Sequence, residues 1–275
     1  MSTLVIHHGF PCKDGFCSAW VLRKKYPDAD FVSGIHGSTE PRPDVTGKDV
    51  IIADFSYDRD ILLEMKSEAN SLIVLDHHAD REKQLEGLDF CIFDTTKSGA
   101  RLSWEYCFPD QPVPWLVAYV EDRDLWNWKL PDSEAINATL GCYRHDFEVW
   151  DELGEMSLEE FKKVSVAVKA YQDQRVTEIC NNAREIEMAG YKVLCANTCV
   201  LQSEVGNALA VNRPFSVTRF QLEDGRWKYS LRSIKGKGID VSKIAALFSG
   251  GGHPEASGCT IVDHRMDKVV PNGNA

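Results

Sequence analysis

The sequence predicts an α/β fold in which a mainly parallel sheet carries polar side chains at one edge. Short apolar runs alternate with helical segments through the first half of the chain, a pattern typical of a parallel sheet covered by helices on both faces. One of these runs, residues 73–75, leads directly into Asp76, His77 and His78. Because functional side chains collect at the carboxyl ends of parallel strands, we expect this edge to carry the protein's chemistry.

The elements of the first half follow from apolar runs, polar breaks and capping residues. In chain order we predict a strand at 4–8, a helix after Gly15, a strand beginning at 31–32, a strand at 50–53, a helix at 58–70, a strand ending at Asp76, a strand near 90–93, a helix from Ser98 through Tyr106 and a helix containing residues 116–120. The last helix leads into the acidic, tryptophan-rich segment 121–128, which we interpret as part of a functional site.

A long amphipathic helix is predicted to connect two domains. Ser157 and Glu160 form a capping-box pattern, and apolar residues recur on one face from there to about residue 188. We place the boundary at the end of this helix, which gives domains of residues 1–188 and 189–275. The second domain is predicted as a smaller α/β unit, with strands at 193–194 and 199–201, a short helix opening at 203–207, strands at 216–222 and 227–232, a helix at 241–248 and a strand at 258–262.

Composition favours a soluble, cytoplasmic protein. The chain has 275 residues, of which 43% are apolar and 27% charged, and it lacks an apolar run long enough for a membrane span. Its nine cysteines lack disulfide-framework spacing, so we expect reduced thiols. The net charge of −11 argues against a surface for long nucleic acids, which are bound by many basic residues. A short anionic substrate remains compatible with this net charge, because bound divalent ions can be the largest local charges in a site.

Potential metal ligands stand at the ends of several predicted elements. The set consists of His8, Cys12, Asp14, Asp54, Asp76, His77, His78 and either Asp122 or Asp124. Carboxylates and imidazoles suit Mn²⁺, Zn²⁺ or Fe²⁺ better than Ca²⁺. Two ions about 3.5–4 Å apart require a bridging carboxylate and catalyse in-line displacement at phosphorus, and Asp54 on the middle strand is a good candidate for the bridge. Taken singly, each residue could instead be a helix cap or a surface acid.

Two motifs in this order make the chain resemble the DHH phosphoesterase superfamily in its DHH–DHHA1 form, over nearly the whole length. Asp76-His77-His78 matches the motif that names the family, and residues 249–253, Ser-Gly-Gly-Gly-His, match the GGGH signature of its second domain. The family's first motif, His-x-Asn-Pro-Asp-x-Asp, corresponds to residues 8–14, where Cys12 replaces the first aspartate. The family includes nanoRNases, pAp phosphatases, the RecJ exonuclease, cyclic-dinucleotide phosphodiesterases and, more distantly, exopolyphosphatases and family II pyrophosphatases.

The resemblance implies a centre of two Mn²⁺ ions. One ion would be bound by His8, Asp54 and, as thiolate, Cys12; the other would be bound by Asp14, Asp54, His77 and Asp122, with Asp124 as the second choice for the last ligand. The replacement at Cys12 leaves two interpretations open, a thiolate ligand or a weaker first site. The family pattern also implies that His78 faces the scissile phosphate without binding metal, and that Asp76 orients the histidines.

The second domain would then bind the anionic substrate. Six basic residues against one acid lie between Arg226 and Lys243, and Arg232 within this patch can bind phosphate in bidentate fashion. By resemblance we expect the substrate-binding residues to be Arg232, Ser233, Gly250, Gly251, Gly252 and His253, with the active site in the cleft between the domains.

These expectations together describe a Mn²⁺-dependent phosphodiesterase. It would use metal-activated water to hydrolyse very short oligoribonucleotides, with linear dinucleotides such as pGpG preferred, to mononucleotides. A phosphomonoesterase acting on pAp or an exopolyphosphatase could use the same metals, and a nucleotide-binding sensor with weak catalysis is the alternative from another class. Whether Trp126 or Trp128 stacks on a base, and whether the protein forms a homodimer, is left open.

Overall fold

A computed structural model of the chain describes residues 2–34 and 41–262. The chain divides into two compact units, residues 1–169 and 170–275, and the division falls after Lys169, inside the long helix. The sequence-based boundary stands further along the chain, near residue 188. The nine cysteines are free thiols. Among the helices of the described ranges, none is long and apolar enough to cross a membrane.

The first unit contains a five-stranded parallel sheet in the order β2-β1-β3-β4-β5. Its strands are β1 (Thr3–His8), β2 (Asp30–Gly34), β3 (Asp49–Ala53), β4 (Ser71–Asp76) and β5 (Cys91–Phe93). In the register of the central strands, His7 lies beside Ala53 and Ala53 lies beside Leu75. The residues one step further along each strand, among them Asp54, therefore reach the same edge of the sheet.

Helices cover both faces of this sheet. They are α1 (Lys13–Lys25), α2 (Arg59–Glu68), α3 (Ala79–Gln84), α4 (Gly99–Cys107), α5 (Trp115–Asp124), α6 (Ser133–Leu140), α7 (Phe147–Glu155) and α8 (Leu158–Asn181). Alternate residues of one strand enter different cores: Ile51 packs in the core with Trp20, and Ile52 packs in the other with Leu62. The sheet therefore packs against an apolar core on each face, which confirms the two-sided covering predicted from the sequence. Burial of each side chain of this size stabilises the fold by roughly 1.5–3 kcal/mol.

Two predicted helix starts are confirmed by their capping hydrogen bonds. The Ser98 hydroxyl accepts a hydrogen bond from the backbone N–H of Arg101 at the start of α4. At the start of α8, the N–H of Glu160 donates to the Ser157 hydroxyl, and the N–H of Ser157 donates to the Glu160 carboxylate. This reciprocal pair is the capping box that the sequence indicates.

The second unit contains a six-stranded mixed sheet in the order β10-β11-β9-β8-β7-β6. Its strands are β6 (Arg184–Met188), β7 (Tyr191–Asn197), β8 (Ser216–Gln221), β9 (Trp227–Arg232), β10 (Gly251–His253) and β11 (Ala256–Ile261), and its helices are α9 (Gln202–Ala210) and α10 (Val241–Ala246). Only β7 and β8 among these described strands pair in parallel. The end of α8 and α9 share one apolar cluster, and α10 packs in another.

The predicted end of the long helix at about residue 188 is wrong, because α8 ends at Asn181 and β6 follows. Ile186 and Met188 are buried in alternation with exposed neighbours, which is the period of a strand. A tight turn at Ala189 and Gly190, both with positive φ (51° and 82°), pairs β6 with β7. The strand predicted at 199–201 is also wrong: this segment turns into α9, with Leu201 at its N-cap in the left-handed region.

Candidate functional site

Asp54 stands at the centre of a polar cluster at the carboxyl edge of the first sheet. Its side chain is 1% exposed, its φ of 54° lies in the left-handed region, and its backbone N–H donates to the carbonyl of Leu75 at 2.9 Å. A non-glycine residue in this region is a local strain that structures retain mainly at functional positions. The fold thus holds this carboxylate in one orientation.

The two carboxylate oxygens of Asp54 face different partners. Oδ2 lies 3.4 Å from Nδ1 of His8 and accepts a hydrogen bond from Sγ of Cys12 at 3.3 Å. Oδ1 lies 3.1 Å from Nε2 of His77. The carboxylate therefore stands between two groups of potential ligands, as a bridging ligand would.

The group around His77 contains two further carboxylates. Its Nε2 lies 3.8 Å from Oδ2 of Asp14 and 3.6 Å from Oδ2 of Asp124. Asp14 is anchored in turn, because its carboxylate accepts hydrogen bonds from the N–H groups of Gly99 and Ala100 at 2.6 and 3.0 Å. These N–H groups belong to the first turn of α4, where the helix dipole favours a negative charge.

Asp76 is buried and orients the histidine pair. Its Oδ1 lies 2.6 Å from Nδ1 of His78 and accepts a hydrogen bond from the N–H of His77 at 2.7 Å. Its Oδ2 accepts a hydrogen bond from the Ser56 hydroxyl at 2.7 Å. Burial alone would raise the pKa of Asp76, but its bonds to His78 and Ser56 lower it, so the carboxylate stays ionised. These contacts hold both histidines in place, and the role of Asp76 in the reaction stays a prediction.

Two glycines let helices approach the cluster at backbone distance. A Cβ atom on Gly15 would lie 2.4 Å from the carbonyl oxygen of His8, and one on Gly99 would lie 2.5 Å from Cβ of Asp54. Real Cβ contacts essentially never occur at these distances. Only glycine therefore allows α1 and α4 to begin where they do, beside His8 and Asp54.

Electrostatics make this cluster a favourable place for a cation. Burial, together with the charges of Asp54 and Asp124, raises the pKa of Asp14 well above its usual value. Burial would lower the pKa of His77, but its hydrogen bond to Asp54 and the charges of Asp124 and Asp14 outweigh it and raise the pKa to about 10. Concentrated negative charge of this kind attracts protons or metal ions.

The donor atoms fit divalent transition metals. Within residues 2–34 and 41–262, three groups have ligand atoms within 4.8 Å of one another: His8 with Cys12 and Asp54; Asp54 with His77 and His78; and Asp14 with His77 and Asp124. Nitrogen, carboxylate oxygen and sulfur are ligands for Mn²⁺, Zn²⁺ or Fe²⁺, whereas Ca²⁺ requires six to eight oxygens. The residues present therefore fit a metal centre.

Of the two aspartates considered for the last ligand position, the structure brings Asp124, and not Asp122, into the cluster. The Asp122 carboxylate accepts hydrogen bonds from the N–H groups of Lys129 and Leu130 at 3.0 and 3.2 Å, and so holds the loop that follows α5. Residues two apart on a helix point in different directions. Asp124, at the end of α5, points to His77.

The tryptophans of the following loop are held in unusual backbone conformations. Trp126 and Trp128 have φ values of 53° and 52°, and their rings pack edge to face with centroids 4.8 Å apart. Both side chains are partly buried. This mutual packing gives the loop after the cluster a fixed form, and stacking on a base stays a prediction.

In the second unit, Arg232 on β9 and His253 on β10 lie on either side of β11, which pairs with both strands. The register places Arg232 beside Ala256 and Ala256 beside His253, so the three side chains project from the same face at steps of about 5 Å. Nη2 of Arg232 donates to the Ser203 hydroxyl at 3.0 Å. This partner could not be recognised from the sequence, since Ser203 has the pattern of an ordinary residue in the first turn of a helix.

Two other predicted binding residues have structural roles here. Ser233 is buried, its N–H donates to the carbonyl of Glu255, and its hydroxyl donates to that of Pro254, which argues against contact with substrate. The N–H of Gly250 donates to the carbonyl of Ala245 and so is not available to an anion.

The remainder of the glycine segment, Gly251 through His253, forms the exposed strand β10. Gly252 has a φ of 135°, and a Cβ atom there would lie 2.6 Å from the carbonyl oxygen of Ala256. A Cβ atom on Gly251 would meet no atom within 4 Å. Of the two, only Gly252 is required by the backbone.

Comparisons with known proteins agree with this architecture. Residues 207–271 match the DHHA1 domain family. Oligoribonuclease NrnB of Bacillus subtilis (strain 168) is 46% identical over 68 residues, which cover 25% of this chain and 17% of NrnB. The chain belongs to the DHH–DHHA1 phosphoesterase superfamily. Uncharacterized protein R106 of Acanthamoeba polyphaga mimivirus is 32% identical to this DHH–DHHA1 protein over 287 residues, covering 93% of the chain and 66% of the viral protein.

Solved structures share the fold of this DHH–DHHA1 protein at low sequence identity. The pGpG-specific phosphodiesterase PggH of Vibrio cholerae has a TM-score of 0.54 at 15% identity, over 95% of this chain and 93% of PggH. RecJ from Thermus thermophilus, solved in complex with Mn²⁺, has a TM-score of 0.53 at 15% identity, over 94% of this chain and 49% of RecJ. These similarities establish the fold of the DHH–DHHA1 protein.

Proposed function

We propose that the protein is a metal-dependent phosphodiesterase that hydrolyses very short oligoribonucleotides to mononucleotides, with linear dinucleotides such as pGpG preferred. The observation that carries this proposal is the Asp54 carboxylate, whose two oxygens face two groups of potential metal ligands. Paired metal sites of this kind catalyse in-line displacement at phosphorus. The activities that name NrnB and PggH, an oligoribonuclease and a pGpG-specific phosphodiesterase, support the substrate class.

Mn²⁺ is the proposed cofactor, in a centre of two divalent ions. The nitrogen and carboxylate donors around His77 favour such an ion, and the Mn²⁺ complex of RecJ supports it. When bound, the ions supply water activation at neutral pH and neutralise charge at phosphorus. His8, Cys12 and Asp54 would hold one ion, and Asp14, His77, Asp124 and Asp54 would hold the other.

His78 is proposed to act on the substrate directly. Its Nδ1 is held by Asp76 at 2.6 Å, which fixes the orientation of the ring. Burial opposes protonation of His78, but the hydrogen bond and charge of Asp76 raise its pKa. A protonated, fixed imidazole can donate to the negative charge that develops on a phosphoryl oxygen. Asp76 is accordingly a positioning residue.

Arg232 and His253 are proposed to bind the anionic end of the substrate. A guanidinium group binds a phosphate through two parallel hydrogen bonds, and the contact with Ser203 holds Arg232 in place. The net charge of −11 favours short substrates over long nucleic acids. We place this activity in the cytoplasm, where the free thiols would stay reduced.

The proposal is tested by side-by-side cleavage of pGpG, a five-nucleotide RNA, pAp and polyphosphate, with and without Mn²⁺. We expect Mn²⁺-dependent turnover with pGpG preferred, and none in the Asp54→Asn variant. Preference for pAp or polyphosphate would instead identify a phosphomonoesterase or an exopolyphosphatase. Binding of pGpG without turnover by the metal-loaded wild-type protein would contradict the enzyme and favour the sensor.

A further inference from the structure

The two groups of ligands around Asp54 differ in chemistry. The sulfur site consists of His8, Cys12 and Oδ2 of Asp54, and so combines one nitrogen, one sulfur and one oxygen. The oxygen site consists of Asp14, His77, Asp124 and Oδ1 of Asp54, and so combines one nitrogen with carboxylate oxygens. Metal ions distinguish between such donor sets, because thiolate favours softer ions and carboxylate favours harder ones.

We propose that the centre binds two different ions: a borderline-soft ion of the Zn²⁺, Co²⁺ or Fe²⁺ type through the Cys12 thiolate in the sulfur site, and a hard ion such as Mn²⁺ in the oxygen site. The inference rests on the proposed function in that it requires a metal centre. It deepens that function by making Cys12 the residue that selects the first ion, so that two equivalent Mn²⁺ ions are not the resting composition.

The fold directs the Cys12 sulfur towards the sulfur site. Cys12 is the N-cap of α1, and its Sγ accepts a hydrogen bond from the N–H of Gly15 at 3.4 Å while it donates to Asp54. Both contacts hold the sulfur at the start of α1, a helix of 13 residues. Gly15 also lets this helix lie against the backbone of His8, which keeps the nitrogen and sulfur donors together.

Other cysteines of the first unit have ordinary structural surroundings. Cys17, on α1, is fully buried in the apolar core. Cys142 is exposed, and its thiol donates to the carbonyl of Ala138, four residues earlier. Cys142 therefore offers a matched control, a thiol outside the cluster.

The competing explanation for Cys12 is a helix cap alone. Serine and aspartate are better N-caps than most residues, so Cys12→Ser and Cys12→Asp should retain α1. Serine removes the soft donor, and aspartate replaces it by a hard one. A cap alone therefore predicts unchanged metal selectivity in both variants, whereas a thiolate ligand predicts a change.

The test is a Co²⁺ titration of the reduced, metal-free full chain, followed by near-ultraviolet absorption, where a thiolate bound to Co²⁺ gives a charge-transfer band. We expect the band in the wild type and in Cys142→Ser, and its absence in Cys12→Ser and Cys12→Asp, which elemental analysis should still show to bind Co²⁺. Zn²⁺ should abolish the wild-type band, and Mn²⁺ at the same concentration should not. Cys12→Asp should weaken Zn²⁺ binding by at least about tenfold.

Wild-type protein that binds Co²⁺ without the band, or a band that persists in Cys12→Ser, would overturn the proposal. Displacement of the band by Mn²⁺ as readily as by Zn²⁺ would also overturn it. A chain that binds neither Co²⁺ nor Mn²⁺ would refute the metal centre itself, and with it the proposed function. Circular dichroism of each variant establishes that the fold is retained.

Discussion

The polar edge of the first unit and the Arg232–His253 face of the second differ in how deeply their side chains are buried and in how these side chains are held. At the first edge, Asp54 and Asp14 are almost entirely buried, and backbone N–H groups or neighbouring side chains fix their orientation. On the second face, Gly251 and His253 are exposed on a short strand. Burial strengthens electrostatic interactions, whereas exposure lets a ligand approach.

Under the proposed function, the buried cluster would carry out the reaction and the exposed face would bind the substrate. A change in the buried cluster should alter turnover and metal content together, because each carboxylate there serves the same charge balance. A change on the exposed face should alter the apparent affinity for substrate and leave metal binding intact.

Asp54→Asn should reduce kcat by at least about a thousandfold and lower the metal content. The substitution preserves size, and asparagine tolerates a positive φ, so the fold should persist. It removes the charge that both ligand groups share. Turnover is measured with pGpG and metal content by elemental analysis; nearly normal values for both would contradict a shared role of Asp54 in the two ligand groups.

Asp124→Asn should change metal affinity, whereas Asp122→Ala should change stability. The first should lower metal affinity by about ten- to a hundredfold with little change in Tm, because Asp124 points into the cluster. The second should lower the free energy of unfolding by about 1–3 kcal/mol, because two loop N–H groups lose their acceptor. Both variants are measured by calorimetry and metal titration. Lower metal affinity in Asp122→Ala with normal affinity in Asp124→Asn would contradict the prediction.

Arg232→Lys should raise KM for pGpG by about ten- to a hundredfold, since a charged, bidentate hydrogen-bonding pair is worth roughly 1.5–3 kcal/mol. The metal content should not change. Arg226→Gln is the matched control, because Arg226 pairs with Asp224 in the exposed turn at the start of β9. A fall in kcat or metal content for Arg232→Lys, with KM unchanged, would contradict a role in recognition.

Gly252→Ala should destabilise the second unit by about 1–3 kcal/mol, because its φ is positive and the new methyl group would meet the carbonyl of Ala256. Gly251→Ala should leave Tm almost unchanged, since open space surrounds that position. Thermal unfolding of the pair separates backbone requirement from ligand contact. Equal Tm values would remove the structural reason for glycine at position 252.

The smallest expected effect concerns His145, which lies outside the Asp54 cluster and the Arg232–His253 face and should make the folding stability depend on pH. Burial, followed by the positive charge of Lys13, lowers its pKa to about 4, and its ring stacks on Phe16 with centroids 4.9 Å apart. An unfolded histidine has a pKa near 6.5, so the unfolded state binds more protons between about pH 4 and 6.5. Stability from this group is therefore present above about pH 6.5 and is lost as the pH falls towards 4.

His145→Asn should flatten the dependence of Tm on pH within this window, relative to wild type. The difference between the two Tm profiles reports on His145 alone, because the residues of the Asp54 cluster are the same in wild type and variant. Identical profiles would show that His145 does not contribute.

Sequence reasoning predicted the parallel sheet and most of the cluster because both depend on local signals. Apolar runs that end in Asp54 and Asp76 place these side chains at one edge whatever the exact length of each strand. Which of Asp122 and Asp124 lies in the cluster could not be decided in this way. It depends on the rotation of α5 and on which carboxylate meets the N–H groups of the next loop.

The end of α8 illustrates a second limit. Ile186 fits both the helical period of the preceding residues and the alternation of a strand. The pairing with β7 through a turn at Ala189 decides between them, and alanine carries no signal for a positive φ. Contacts distant in sequence, such as the one between Arg232 and Ser203, have no local signature either.

The two glycines beside the cluster have a consequence for how this protein can change. The positions of His8 and Asp54 depend on atoms that Gly15 and Gly99 lack, so any larger residue there displaces a main chain. The side chain at position 12 lies at a helix cap, where several residue types are compatible with the fold. If the cluster binds metal as proposed, a single substitution at position 12 would change which metal ion is preferred, while the glycines keep the position of the cluster unchanged.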